Sequence, residues 1–406
     1  MSSRDELCSD TNLLSFYSDL HIHIGRAGDG QPVKISGSRN LTFENIAKEA
    51  VFRKGIDMIG IIDCHSPSVQ QDILSCLDQG SMQEVSGGGI SYQNTVILLG
   101  SEIEIKEQGM GAAHVLVYFR TLGDMQDFTS WMSRYMKNVN LSSQRIYVEP
   151  KELQREVADR GGVLIPAHIF TPHKGLYGSV TDRMEYVLNR DLIDAVELGL
   201  SADSSMAGLL SELDHCTFLT NSDAHSLGKI GREYNQILMK EPSFDEFVMA
   251  LKREAGRRVT GNFGLNPRLG KYHRTFCSSC GTILDEQTMV SSLDRCPLCG
   301  SLKTVQGVLD RIISISDRQD PFIPDHRPPY HYQVPLEFIP GLGKAMMNKL
   351  LNAFGTEMAI LHRASEQQLI EIAGEKLARS IMLARNGTLK LSSGGGGTYG
   401  KVMKSE

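Results

Sequence analysis

Several short stretches of this chain set imidazoles and carboxylates two residues apart: Asp19-Leu-His21-Ile-His23, Asp63-Cys-His65, Glu102-Ile-Glu104 and Asp223-Ala-His225. His114 and His168 stand singly, one opening an apolar run and the other ending one. Imidazole mixed with carboxylate suits zinc, manganese or iron. His21, His23, Asp63, His65, Glu102, His114, His168, Asp223 and His225 are the candidate ligands. They exceed the roughly four to six donors that one ion takes, so two or three clustered divalent ions are expected. Any one of these residues alone is an ordinary polar residue at a strand end or a helix cap. Burying all of them without a cation, however, is costly. Clustered divalent ions suit phosphoester hydrolysis, because one lowers the pKa of a bound water while another stabilises the leaving oxygen. Glu102, Asp223 and His225 are the candidate catalytic members. Cys64 lacks the setting that activates a thiol and reads as a packing residue.

Such a cup needs strands that end together. Seven apolar runs read as strands: 15–22, 57–62, 95–103, 114–119, 163–166, 193–198 and 216–220. Side chains two apart on a strand share a face, so each pair points to one side. Helical periodicity fills most gaps, over 43–54, 124–137, 149–160 and 243–255. In 43–54 the apolar residues Phe43, Ile46, Ala47, Ala50 and Val51 form one buried face. Repeated strand–helix units predict an α/β fold with a mainly parallel sheet. Their number suits a closed barrel with its site at the carboxyl ends of the strands, and an open doubly wound sheet is the alternative.

Composition excludes disordered and fibrous classes, since 41% of the 406 residues are hydrophobic and 22% charged. No uninterrupted apolar stretch approaches the roughly 18 residues of a spanning helix, and the first residues show no signal pattern, so a cytoplasmic protein is expected. The eight cysteines split into four scattered ones and a cluster, which fits a reducing compartment. Residues 1–254 carry 23 basic and 35 acidic side chains, a net −12, whereas residues 255–406 carry 19 and 13, a net +6. A basic appendage on an acidic body is the electrostatic footprint of nucleic-acid contact.

The cluster, Cys277-Ser-Ser-Cys280-Gly and Cys296-Pro-Leu-Cys299-Gly, has the spacing of a zinc ribbon, whose four thiolates close a tetrahedron around a structural zinc. Before it runs a basic connector containing Arg268, Lys271 and Tyr272. After a proline-rich link comes Pro340-Gly341-Leu-Gly343-Lys344 ahead of a helical pattern, where backbone N–H groups at a glycine turn can hold a phosphate and Lys344 and Lys349 add charge. Expected boundaries are a barrel over 1–255, connector and ribbon over 256–334, a small all-α domain over 335–390 and a flexible tail over 391–406. Gln367-Gln-Leu-Ile370 has a faint likeness to a sliding-clamp peptide, although its helical setting favours a core role for Leu369 and Ile370.

The histidine and carboxylate motifs resemble the polymerase and histidinol phosphatase (PHP) superfamily over residues 15 to about 255. That resemblance implies a distorted seven-strand α/β barrel with a trinuclear centre that hydrolyses phosphoesters, and assigns the nine candidates as its ligands. One departure is Cys64, inserted where the family has Asp directly followed by His, which leaves open whether Asp63, His65 or both bind metal. The segment around Gly341 resembles a helix-hairpin-helix module, and 365–386 resembles its degenerate second hairpin. With Ala167-His168-Ile-Phe170-Thr-Pro172, Leu176-Tyr177-Gly178 and the connector, nearly the whole chain resembles endonuclease Q repair nucleases. This implies cleavage on the 5′ side of uracil, hypoxanthine and xanthine and at abasic sites in DNA, with Mg2+ or Mn2+ as expected activators. Phe170, His173, Lys174 and Tyr177 after His168, with Arg268, Lys271, Tyr272, Gly341, Gly343 and Lys344, are the candidate DNA contacts, and for Phe170 and Tyr177 the alternative is packing of the barrel rim. A small-molecule phosphatase has little use for the appendages, and a catalytically silent scaffold is expected to have lost ligands.

Overall fold

The computed structural model describes residues 12–284, 295–392 and 394–403. β1 (Leu14–Ile22) passes from an exposed start to a fully buried end. α1 (Phe43–Glu49) buries Phe43, Ile46 and Ala47 and runs into a π-turn over Ala50–Lys54. β2 (Met58–Ile61), α2 (Pro67–Asp78) and a hairpin of β3 (Gln83–Glu84) and β4 (Ile90–Tyr92) follow. Then come β5 (Thr95–Ile105), β6 (Ala113–Phe119), α3 (Leu122–Met132), α4 (Pro150–Asp159) and β7 (Val163–Pro166). β8 (Ala195–Glu197), the short α5 (Ser204–Ala207) and β9 (Thr217–Leu219) complete the expected strands. Helix starts are set locally: Thr121 and Asp124 form a capping box on α3, and Ser243 caps α6 (Phe244–Lys252).

All seven expected strands form, but the sheet is mixed instead of mainly parallel. β1, β2 and β5 are parallel. β6 then turns straight back on β5, and β7 runs antiparallel to β6. The physical reason is the short connection over 106–112, which has no helix to carry a parallel crossover. The reversal still serves the site, because it sets His114, at the start of β6, opposite Glu104 near the end of β5. β8 and β9 form a separate parallel ladder. The segment after β9 returns to β1, where His23 N–H donates to Ala224 O and Ala224 N–H to His21 O, each at 3.1 Å.

Besides the β3–β4 hairpin, three strands of the central sheet went unpredicted. β10 (Tyr234–Met239) pairs antiparallel with β1, and β11 (Arg258–Gly264) pairs with β10. β14 (Tyr330–Tyr332) then lies parallel to β11. The expected boundary at 255/256 therefore falls just before a strand of the sheet, and the connector is partly barrel wall. Between these strands the ribbon hairpin of β12 (Phe276–Cys277) and β13 (Thr304–Val305) leads into α7 (Val308–Ile315). The helical end comprises α8 (Lys344–Phe354), α9 (Glu357–His362), α10 (Glu366–Ala373) and α11 (Glu375–Arg385). It docks on the barrel through His362, which stacks on Tyr17 of β1 at 4.5 Å and meets Tyr234 Oη of β10 at 2.6 Å. Within 391–406, expected as a loose tail, β15 (Leu391–Ser392) pairs with β16 (Lys401–Val402), and Gly394 and Gly400 N–H donate to Arg268 and Leu269 carbonyls. Small glycines let this hairpin lie directly on the connector backbone. No helix among the described residues is long and apolar enough to cross a membrane.

Candidate metal centre and its rim

Seven of the nine expected ligands converge at one end of the barrel. They fall into overlapping groups: His21, His23 and Glu102; His23, Asp223 and His225; Glu102, His114 and His168. β1 delivers His21 and His23, β5 delivers Glu102, and the loops after β7 and β9 deliver His168 and the Asp223/His225 pair. Glu102 is the hub. Its Oε1 lies 2.9 Å from His114 Nδ1, 3.4 Å from His168 Nε2 and 3.5 Å from His21 Nε2, and its Oε2 lies 3.7 Å from His23 Nε2. Asp223 Oδ1 stands 3.4 Å from His23 Nε2 and 3.5 Å from His21 Nε2. Yet His21 Nε2, His23 Nε2 and His114 Nδ1 are buried without an aligned hydrogen bond. Unpaired buried nitrogens facing carboxylate oxygens at contact distance are the arrangement that a cation resolves. The residues therefore fit a group of divalent ions.

Asp63 and His65 do not join the cluster. Asp63 Oδ2 accepts from Ile24 N–H at 2.7 Å and lies 3.1 Å from His23 Nδ1, so it orients a ligand from behind. His65 turns both ring nitrogens elsewhere, Nδ1 to Ser101 Oγ at 2.8 Å and Nε2 to Leu141 O at 3.3 Å. Cys64, between them, is fully buried with its thiol on Ile61 O, and burial pushes its pKa far up. It is an inert packing residue, as expected.

In their place the fold brings in residues that motif spacing did not reveal. Glu197, at the end of β8, is buried, and both its carboxylate oxygens lie 3.1 Å from His21 Nδ1. The same carboxylate accepts from His168 N–H at 2.9 Å and Asn221 Nδ2 at 3.1 Å. Its one sequence signal is an acidic residue inside an apolar strand, which needs a buried partner. Thr171 Oγ1 likewise holds His168 Nδ1 at 2.9 Å, and Ser142 Oγ holds His23 Nδ1 at 3.1 Å. Lys34 comes from a loop with no motif, its Nζ 3.3 Å from Glu102 Oε2 and 2.6 Å from Ser143 Oγ, while Ser143 Oγ also donates to Glu102.

The electrostatics follow from this packing. Burial opposes the charge on Glu102, but His114, Lys34 and His168 outweigh it and hold the carboxyl well below the usual range. Burial also opposes ionised Asp223, which His21, His23 and His225 hold well below its usual value. His21 is held well above the ordinary imidazole value, because Glu197, Asp223 and Glu102 outweigh its burial. His168 (φ 28°) and Asp223 (φ 46°) adopt the left-handed backbone region, strain of a kind concentrated at functional sites. Gly199 makes room for the first, since a Cβ there would sit 2.9 Å from His168 Cβ.

These groups line a cavity of about 440 Å³, whose wall also includes His173, Lys174, Arg232, Lys271, Tyr272 and Tyr399. A family model described as PHP-associated matches residues 207–255. The Bacillus subtilis (strain 168) protein YqxK is 49% identical over 388 residues, 95% of this chain and 98% of that one. The lesion-specific endonuclease PfuEndoQ from Pyrococcus furiosus superposes with a TM-score of 0.83 at 31% identity, covering 96% of this chain and 95% of that one. Endonuclease Q in complex with a 27-mer duplex carrying an abasic lesion at its active site matches at a TM-score of 0.84 and 31% identity, covering 97% of both chains. The chain belongs to the endonuclease Q family.

The rim of this endonuclease Q chain differs from expectation in one respect. Phe170 and Tyr177 are fully buried and stack on each other at 5.5 Å, with Tyr177 Oη on Glu212 at 2.7 Å. They pack the wall and offer no face to DNA. His173 and Lys174 do reach the cavity, His173 edge-on to Tyr272 at 5.3 Å and Lys174 Nζ 2.5 Å from Glu104 Oε2. Lys271 Nζ lies 4.8 Å from the Tyr272 ring centre and 5.7 Å from that of Tyr399.

Away from the cavity, the four ribbon cysteines converge. Cys277 Sγ is 3.5 Å from Cys299 Sγ and Cys280 Sγ 3.6 Å from Cys296 Sγ. Tetrahedral zinc–thiolate bonds of about 2.3 Å set sulfurs about 3.8 Å apart, so the donor set fits zinc. Gly341 and Gly343 border open space ahead of α8, and a single 3₁₀ turn, Leu336–Phe338, stands where a first helix was expected. Leu369 of the clamp-like stretch is fully buried.

Proposed function

We propose that this chain is a metal-dependent DNA repair endonuclease that cuts the phosphodiester on the 5′ side of uracil, hypoxanthine and xanthine and at abasic sites. The observation that carries the reading is the set of buried, unpaired ligand nitrogens around Glu102, opening into a cation-rimmed cavity in an endonuclease Q fold. His21, His23, Glu102, Asp223, His225, His114 and His168 would hold two ions. Divalent ions there activate water and stabilise charge on phosphate. Zinc in the ribbon is structural, and Mg2+ or Mn2+ is the expected activator.

The protein's own residues do the positioning. Glu197, Thr171 and Asp63 occupy the outer nitrogens of His21, His168 and His23, which leaves the inner nitrogens as ligands. Lys34 places a fixed positive charge beside Glu102, where a phosphate oxygen would gain from it. Arg232, Lys174 and Lys271 line the path of the backbone. The open N-terminus of α8, with Lys344 and Lys349, offers a second phosphate contact that grips DNA without reading sequence.

The test uses end-labelled duplexes that differ in one base, uracil, hypoxanthine or a normal pyrimidine, with Mg2+ or Mn2+, with chelator, and with Asp223→Ala. One cut beside the lesion, lost with chelator and with the substitution, is expected. Cleavage of histidinol phosphate or another small ester with no cut in any duplex would overturn the reading.

A further inference from the structure

The loop that carries Lys34 has a second feature. Gly37 N–H donates to Lys34 O at 2.9 Å, closing a tight turn with Ile35 and Ser36 at its tip. Both ends are tied to the metal-ligand segments: Lys34 N–H donates to Ile24 O at 2.8 Å, next to His23, and Ser38 N–H donates to His225 O at 2.9 Å. Gly25 lies so close to this loop that a Cβ there would sit 2.0 Å from Ser38 O. The turn is therefore stiff and locked to the floor of the site.

At its tip Ile35 is 82% exposed, the largest value among the exposed large hydrophobics of the described residues. A single exposed apolar side chain is unremarkable by itself. Here it stands between Lys34 and Ser36, both of which line the cavity, with exposed Arg39 following. Lys34 reaches inward to Glu102 while Ile35 has nothing to pack on. A β-branched side chain with few rotamers, held on a rigid turn at the lip of a nucleotide-sized cavity, has the properties of a probe for the stacked interior of DNA.

We propose that Ile35 is a wedge that enters the duplex beside the nucleotide drawn toward the metals and fills the gap left in the base stack. The inference rests on the DNA-nuclease reading above. Removing a nucleotide from the stack costs a few kcal/mol, and apolar insertion offsets part of that cost by replacing the lost stacking. Single-stranded DNA needs no such help.

The experiment compares wild-type protein, Ile35→Ser and Ile35→Leu on a uracil-containing duplex and on the same strand alone. The expected result is a loss of at least about tenfold for Ile35→Ser on duplex, less than about twofold on single strand, and recovery with Ile35→Leu. Equal losses on both substrates, or none on either, would overturn the wedge. As an independent readout, 2-aminopurine opposite the uracil is followed in the cleavage-deficient Asp223→Asn background, with and without Ile35→Ser. Brightening on binding is expected to disappear with Ile35→Ser, and undiminished brightening overturns the proposal even if wild-type protein cuts only duplex. A wild-type protein that cuts neither substrate and brightens nothing removes the nuclease reading itself, and the wedge with it.

Discussion

The barrel cup and the cysteine ribbon are both metal-type constellations, yet they are assembled by opposite means. The ribbon's four thiols come from 23 consecutive positions, and two short knuckles suffice to bring their sulfurs to 3.5 and 3.6 Å. The cup draws its ligands from His21 to His225, and nothing short of the whole strand order brings them together. Spacing alone determines the first site. The second depends on which face each residue presents, so its membership changes on folding: Asp63 and His65 fall outside, whereas Glu197 and Lys34 come in.

The largest expected effect comes from exchanging damage between the two sites. Asp223→Asn should abolish cleavage, by about 10³-fold or more, and lower the barrel metal content while one zinc per chain remains. Cys296→Ala should do the reverse, losing the ribbon zinc while leaving the barrel ions, and lowering duplex cleavage by a smaller factor. Elemental analysis beside the gel assay separates them. A Cys296→Ala protein that also loses its barrel ions would show that the two sites fold as one unit and break the contrast.

The next effect tests residues that motif spacing did not reveal. Glu197→Gln keeps the shape but removes the charge that offsets the burial of the His21 and His168 imidazoles. A lost outer-shell partner typically weakens metal affinity by about 10–100-fold. Chelator competition should therefore strip the barrel ions of Glu197→Gln first and leave the ribbon zinc where it was. Unchanged competition would mean that Glu197 is only a structural acceptor.

Much of the fold was legible because its signals are local. Seven strands, four barrel helices and the ribbon followed from apolar runs, helical periodicity and cysteine spacing, and all appear. What was not legible is nonlocal. β11 hides in Arg258–Gly264, whose two glycines and asparagine mask a strand that its neighbours β10 and β14 stabilise. The carboxyl-end convergence was inferred from a parallel sheet, and it held for His114 and His168 because two reversals of direction place them at the same end. Phe170 and Tyr177 suited either a DNA contact or packing of the barrel rim, and what decides for packing, the Glu212 carboxylate that takes Tyr177 Oη, lies 35 positions away and could not be foreseen from spacing.

The smallest effect concerns His65, the residue whose ligand role the folded arrangement removes. With Nδ1 on Ser101 and Nε2 on Leu141 O, His65→Gln should leave the barrel metal count unchanged and cost about 1–3 kcal/mol of stability through lost buried hydrogen bonds. Its pH signature has a definite sign. Burial holds the folded imidazole below its ordinary value near 6.5, despite the nearby Asp63 charge. The unfolded chain therefore binds the extra proton first, and the neutral ring contributes stability that is full above about pH 6.5 and lost as pH falls through the folded value. His65→Gln, having no proton to take up there, should show a flatter loss of urea resistance below pH 6.5 than the wild type. If instead His65→Gln removes one barrel ion per chain at neutral pH, His65 is a ligand after all, and the rule that separates the two sites, local spacing against the face presented by the fold, fails at this position.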